Sequence, residues 1–234
     1  MEFNPTKCNT MHSTHSTTQT MFSYKLHNIV LQNVKEVKYL EVILDHKLSW
    51  NKHIDSLVLK ANRALGMVSR NLKPAPQRIK QQAYFSLVRP HAEYASAVWD
   101  PYTNKNVRQV EMIQRRAARF VTNRYHNTSS VTDMIDSLGW QSLQSRRQIS
   151  RNTLLYKTIH NHVCLPNGPE FLRRSTRQTR HSNSNTFIQY QTSTDALKYS
   201  FYPRTIVNWN ALPVQVTGVA TVDMFRSAVA KELR

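Results

Sequence analysis

Cysteine is nearly absent: Cys8 and Cys164 are the two in 234 residues. Two distant thiols make no disulfide framework, so a reducing intracellular compartment is expected, cytoplasmic or nuclear and not secretory. Residues Met1 to Cys8 offer neither the basic start nor the apolar stretch of a signal peptide. Glycine is scarce too, with four residues. Neither G-x-x-x-x-G-K-[ST] nor G-x-G-x-x-G occurs, which excludes phosphate-cradling loops of those types. No run approaches the roughly 18 to 20 apolar residues that span a bilayer, so no membrane partner is expected. Acidic residues number 14 against 32 Lys plus Arg, and no two aspartates adjoin. The chain therefore shows no paired carboxylates for two-metal phosphoryl chemistry.

What remains is a basic chain, 40% hydrophobic, with a formal charge of +18 and a pI near 10.3. Its length suffices to bury a core in one or two domains. Charge of this size and sign points to a polyanionic partner, nucleic acid before any other.

Alternation and β-branched content read as strands at Phe22–Leu26, Ile29–Leu31 and Val37–Leu44, with a turn at His27 and Asn28. The polar stretch from Met11 to Thr20 reads as a loop. From His53 the period becomes helical: Ile54, Leu57, Val58, Ala61, Leu65 and Val68 form a stripe, with Lys60, Arg63 and Arg70 off it. Pro74 and Pro76 stop that helix. A second spans Gln77 to Val88, Pro90 kinks or restarts it, and Ala92 to Trp99 continues to Asp100 and Pro101. A further helix, Asn104 to Val121, turns Val110, Ile113, Ala117, Phe120 and Val121 inward. On it Arg108, Arg115 and Arg119 are spaced by seven and four residues and share a face, with Arg116 beside them. A short helix from Ser130 to Leu138 precedes a long one, Gln141 to His162, carrying Arg146, Arg147 and Arg151. Helical segments Phe201–Leu212 and Val222–Leu233 close the chain.

Guanidiniums along one helix face can bridge successive phosphates, because the planar fork takes two oxygens at once. The plain alternative is a solvated face, but three basic helices in so basic a chain favour phosphate binding. Other constellations carry less. Asp133 and Asp136 sit near a helix start, where carboxylates commonly offset the dipole. Neither Cys8, His12 and His15 nor His160, His162 and Cys164 supplies the four ligands of a structural zinc site. Tyr84, Phe85, Tyr94, Trp99, Trp140 and Trp209 are read as core residues before base-stacking platforms.

Several motifs carry a resemblance. The run Leu87 to Pro101 (LVRPHAEYASAVWDP) followed by Gln114 to Phe120 (QRRAARF) resembles the segment after the polymerase core of jockey-like non-LTR retrotransposon (LINE) reverse transcriptases. Phe3 to Cys8 (FNPTKC) resembles the motif just after the catalytic aspartates of that family; Lys7 matches its general-acid lysine. Tyr39, Leu40, Glu41 and Val42, within YLEVILDHKLSW, resemble its primer grip, where Glu41 replaces the usual glycine. Leu138 to Trp140, Tyr199 to Pro203 and Val207 to Pro213 resemble its C-terminal extension.

The resemblance implies a mainly α protein: a thumb-like helical bundle with a small N-terminal antiparallel β remnant of a polymerase palm. The implied division is 1–50 palm edge and primer grip, 51–126 thumb, 127–165 C-terminal-extension helices, 166–198 exposed linker and 199–234 C-terminal helical segment. The expected function is sequence-independent binding of RNA, DNA or their hybrid duplex through phosphates, by Lys60, Arg63, Arg70, Arg108, Arg115, Arg116 and Arg119. An inert helical relic is the alternative. The parent enzymes polymerise DNA on RNA with Mg²⁺, whereas this chain alone is expected to be no enzyme, with no metal or other cofactor. The missing polymerase parts, supplied in trans, are a further partner the resemblance allows.

Overall fold

The computed structural model describes residues 3–14, 22–165, 168–175 and 185–233. His15, most of the polar stretch up to Thr20 and part of the expected linker lie outside them. The fold is mainly helical, 57% helix to 8% strand. It divides into two compact units, Met1–Ser56 and Leu57–Arg234.

The first unit holds three short strand pairs. β1 (Asn9–Thr10) pairs with β4 (Gln32–Asn33), β2 (Lys25–Leu26) with β3 (Ile29–Val30), and β5 (Glu36–Tyr39) with β6 (Val42–Asp45). The last two pairs are antiparallel, as expected, but β1 and β4 run parallel. A parallel pair needs a crossover, and here β2 and β3 fall between its two strands. The β2–β3 turn is His27 and Asn28, both at positive φ, as a two-residue hairpin with the right strand twist requires. The expected single strand Val37–Leu44 is instead the β5–β6 hairpin, reversing at Leu40 and Glu41, with φ 45 and 66. Alternation alone hid this turn, because leucine and glutamate carry no turn signal. His53 Nδ1 accepts the Ile43 N–H at 3.3 Å, and Lys52 pairs with Glu36.

Helix α1 (Asn51–Asn71) buries the expected stripe of Ile54, Leu57, Ala61, Leu65 and Val68. Each large side chain so buried stabilises by about 1.5–3 kcal/mol. In the second unit α2 (Gln77–Ala83) passes into a wider π-helical turn, Tyr84–Val88, before α3 (Arg89–Glu93). Pro90 at the start of α3 has no N–H to continue an α ladder, and the Arg89 N–H reaches back to the Tyr84 carbonyl. The expected continuity to Trp99 fails at Ala95, which is left-handed at φ 50, and α4 (Ser96–Trp99) restarts beyond it. That break lets Trp99 Nε1 donate to the Tyr94 carbonyl at 2.7 Å, with the indole fully buried.

Next come α5 (Asn104–Thr122), α6 (Val131–Ser137) and α7 (Leu143–Ile159). Ser130 Oγ accepts the Asp133 N–H to cap α6, and Gly139, at φ +66, ends it while Trp140 N–H bonds the Ile135 carbonyl. The start of α7 is held by Ser142 and by the Glu111 carboxylate of α5, which accepts the Leu143 and Gln144 N–H groups at 3.2 and 2.7 Å. α5 packs on α2, α6 and α7.

The chain closes with α8 (Gly168–Phe171), α9 (Asp195–Lys198), α10 (Phe201–Asn210), α11 (Val214–Thr217) and α12 (Val222–Glu232). Tyr156 of α7, Ile206 and Trp209 of α10, Val216 of α11 and Phe225 and Val229 of α12 share one apolar cluster. The segment 166–198, expected as an exposed linker, contributes Phe187 to that cluster. Asn210 clamps it, accepting the Phe187 N–H at 2.9 Å and donating to its carbonyl at 2.7 Å. Polar composition gave no sign of this one buried aromatic. No helix of the described residues is long and apolar enough to cross a membrane.

Candidate nucleic-acid interface

On α5 the apolar positions face the core and fix what must face outward. At about 100° per residue, Lys105, Arg108, Arg115, Arg116 and Arg119 fall within an arc of about 100°, interrupted by Met112. Lys105, Arg108 and Arg116 are exposed, Arg115 and Arg119 half-buried. Among the described residues none of the five is in a salt bridge. The one carboxylate on the helix, Glu111, is turned to α7, where burial raises its pKa against the opposing pull of Arg147 and the two backbone N–H groups. Five cations thus share a face, with no salt bridge taking up their charge among the described residues.

Lys60, Arg63 and Arg70 are exposed on α1, Arg63 and Arg70 nearly eclipsed along the helix and Lys60 about 60° further round. They form a row of their own. The fold brings the arginines of α5 together on one helix and leaves these three on another.

The third basic helix is not one. Arg147 and Arg151 of α7 are buried around Asp100, and Arg146 hydrogen-bonds the Glu93 carboxylate. Arg147 Nε donates to Asp100 Oδ1 at 2.7 Å, Arg151 Nε lies 3.0 Å from Oδ2, and Arg204 of α10 lies 3.3 Å from the same oxygen. Arg204 also donates to the Asp100 and Pro101 carbonyls, at 2.7 and 3.3 Å. Desolvation is the larger effect on Arg151, whose pKa burial pushes down to about 10 against the pull of Asp100. Arg204 is lowered for the same reason. The sequence does hold the signal: Leu143, Arg147, Arg151 and Leu155 recur every fourth residue, so both arginines lie in a stripe bounded by two buried leucines. The run Trp99, Asp100 and Pro101 thus has a structural duty, anchoring the end of α4 to α7 and α10.

The primer-grip-like residues form the tip of the β5–β6 hairpin. Tyr39, Leu40 and Glu41 are exposed and Val42 is buried. Glu41 stands in the left-handed region where glycine is at ease, its Oε1 2.5 Å from Lys38 Nζ. Lys7 is exposed at the end of a 3₁₀ turn, Pro5–Lys7, capped by Asn4, whose side chain accepts the Thr6 N–H at 3.0 Å. Asn4 and Pro5 therefore shape the turn, and Lys7 rides on it.

Tyr84 stacks on Trp140 with ring centroids 4.7 Å apart, and Trp99 and Trp209 are buried, while Tyr94 is 55% exposed. Among the described residues no group of three or more His, Cys, Asp and Glu could hold a metal ion. Asp133 and Asp136 lie exposed on α6, and His160 and His162 are separated by 6.5 Å between ring centres. This donor set does not fit the two-metal centre that a polymerase resemblance implies.

Sequence reasoning missed Lys105, three residues before Arg108 and legible from that spacing. It also missed Lys80, fully buried on α2, whose Nζ donates to Asn123 Oδ1 at 2.7 Å beyond the end of α5 and lies over the Phe120 ring. No local pattern marks Lys80. In comparison with known proteins the chain matches no family model, no curated protein and no solved structure.

Proposed function

We propose that the chain binds RNA, DNA or a template-primer duplex without sequence preference, through phosphate contacts made by the basic face of α5 and supplemented by the row on α1. The observation that carries this reading is the α5 arc: Lys105, Arg108, Arg115, Arg116 and Arg119 with no salt-bridge partner among the described residues. Cations on one rigid helix, spaced along its axis, suit a line of phosphates and carry no code for bases. The motif resemblance supports a specific parentage. The chain corresponds to the part of a LINE-type RNA-directed DNA polymerase that follows its catalytic aspartates, with residues 51–126 in the role of a thumb. Binding, not catalysis, is the activity assigned, because the sequence lacks adjoining aspartates.

The test is fluorescence anisotropy of labelled single-stranded RNA, duplex DNA and hybrid duplex against salt. Four arginine–phosphate contacts predict a salt slope near −3.6, or roughly a 10²-fold loss of affinity between about 50 and 200 mM. Arg115→Ala with Arg119→Ala removes two contacts and lowers the slope by about 2 units. Affinity indifferent to salt, or to the double substitution, refutes the proposal.

A further inference from the structure

We propose that the cavity bounded by α3, α4, α7 and α12 is a binding site for a phosphate group, separate from the α5 face. Its volume is about 350 Å³, and Glu93, Ser96, Arg146, Lys157 and Arg226 line it. Pockets of this size enclose small ligands with a few fixed polar groups.

The helices bring the charges together in a definite way. Arg146, Ser150, Thr153 and Lys157 follow one another at four, three and four residues, so a single stripe of α7 forms one wall. Arg226 enters from α12, and Glu93 and Ser96 from α3 and α4. Arg146 hydrogen-bonds Glu93, and Arg89 lies 3.5 Å from the same carboxylate. One negative charge thus serves two guanidiniums. Lys157 and Arg226 have no carboxylate partner among the described residues, and the lining carries a surplus of two positive charges, Arg146, Lys157 and Arg226 against Glu93. Arg89, beside the same carboxylate, has its pKa lowered chiefly by burial and then by Arg146, against the pull of Glu93.

Ser96 lines the cavity, but its Oγ is sealed from it and offers a ligand no donor. Donors from two walls, Arg146 and Lys157 on α7 and Arg226 on α12, suit a tetrahedral dianion better than a planar carboxylate, which one guanidinium fork would satisfy. Two sources carry such a group: the end or backbone of a nucleic-acid strand, and a free phosphate or pyrophosphate ion.

Isothermal titration of the full chain with inorganic pyrophosphate at fixed ionic strength tests the site. Saturable binding is expected, weakened by about tenfold in Lys157→Ala and again in Arg226→Ala, since each removes one charged contact. Both side chains reach solvent, so neither substitution opens the core, and a cooperative melt verifies folding. Arg115→Ala with Arg119→Ala is expected to leave pyrophosphate binding intact, separating this site from the α5 face. Competition by a 5′-phosphorylated oligonucleotide, but not its 5′-hydroxyl twin, assigns the strand end as source; equal competition by both assigns the backbone, and competition by neither assigns the free ion. No saturable binding, or binding unchanged by both cavity substitutions, overturns the proposal.

Discussion

Replacing Asp100 by Asn keeps the shape of the side chain and deletes the charge that three arginines share. In the native protein its oxygens lie 2.7, 3.0 and 3.3 Å from Arg147, Arg151 and Arg204. Arg147 and Arg151 are both buried, so neither cation can turn to water. Removing one partner of a buried ion pair costs about 3–5 kcal/mol, because the remaining charge is stranded in a poor dielectric. Two compensations hold the loss within that range. Arg204 keeps its bonds to the Asp100 and Pro101 carbonyls, and Glu111 lies 3.9 Å from Arg147. For a unit of this size each kcal/mol moves the midpoint by about 2–4 °C, which predicts a fall in Tm of about 6–20 °C by circular dichroism. Raising salt should not repair it, since screening acts on exposed charges. Adding Arg151→Met to Asp100→Asn should recover part of the loss by withdrawing one stranded cation. A single-variant loss below about 1 kcal/mol, or a double variant less stable by the full sum, refutes the account of Asp100 as counter-charge.

Two smaller perturbations test other parts of the fold. Glu41→Gly should stabilise the β5–β6 hairpin by about 0.5 kcal/mol, the relief of a left-handed residue at about 1–2 kcal/mol less the chain entropy of glycine and a weak exposed pair with Lys38. Slower amide exchange of β5 and β6 would confirm it, and faster exchange would contradict it. Tyr84 is held above its ordinary pKa of 10.0, chiefly by burial. The unfolded chain therefore loses this proton first, so the stabilisation is complete below pH 10 and falls away as pH rises beyond it. Tyr84→Phe should flatten that alkaline decline in urea titrations between about pH 9 and 11, at the expense of the bond to Gln114; an unchanged slope counts against the assignment.

Periodicity made the helices legible. The stripe of α1 and the inward face of α5 follow from apolar spacing, and once α5's buried side is known its arginines can only point outward. What the sequence concealed was of two kinds. Local conformation at Ala95 and at the Leu40–Glu41 turn is imposed by contacts made elsewhere, such as the Trp99 indole bonding back to Tyr94, so side-chain type gives no warning. Charge was the other: Arg147 and Arg151 look like surface residues until Leu143 and Leu155 are seen in the same row. Counting arginines along α7 as a binding face thus treated buried ion pairs as free cations. The seven candidate contacts lie on α1 and α5; what falls away is α7's share of the charge argument.

Glu111 joins the two sides of α5. While the outer face of that helix presents its arginines, the carboxylate on its flank closes the first turn of α7, and α2 and α6 pack against α5 as well. Packing on three neighbours predicts that its amides exchange among the slowest of the second unit. The packing of that inner flank fixes how α5 is rotated, so the register of its outward arginines is set from the opposite side of the helix.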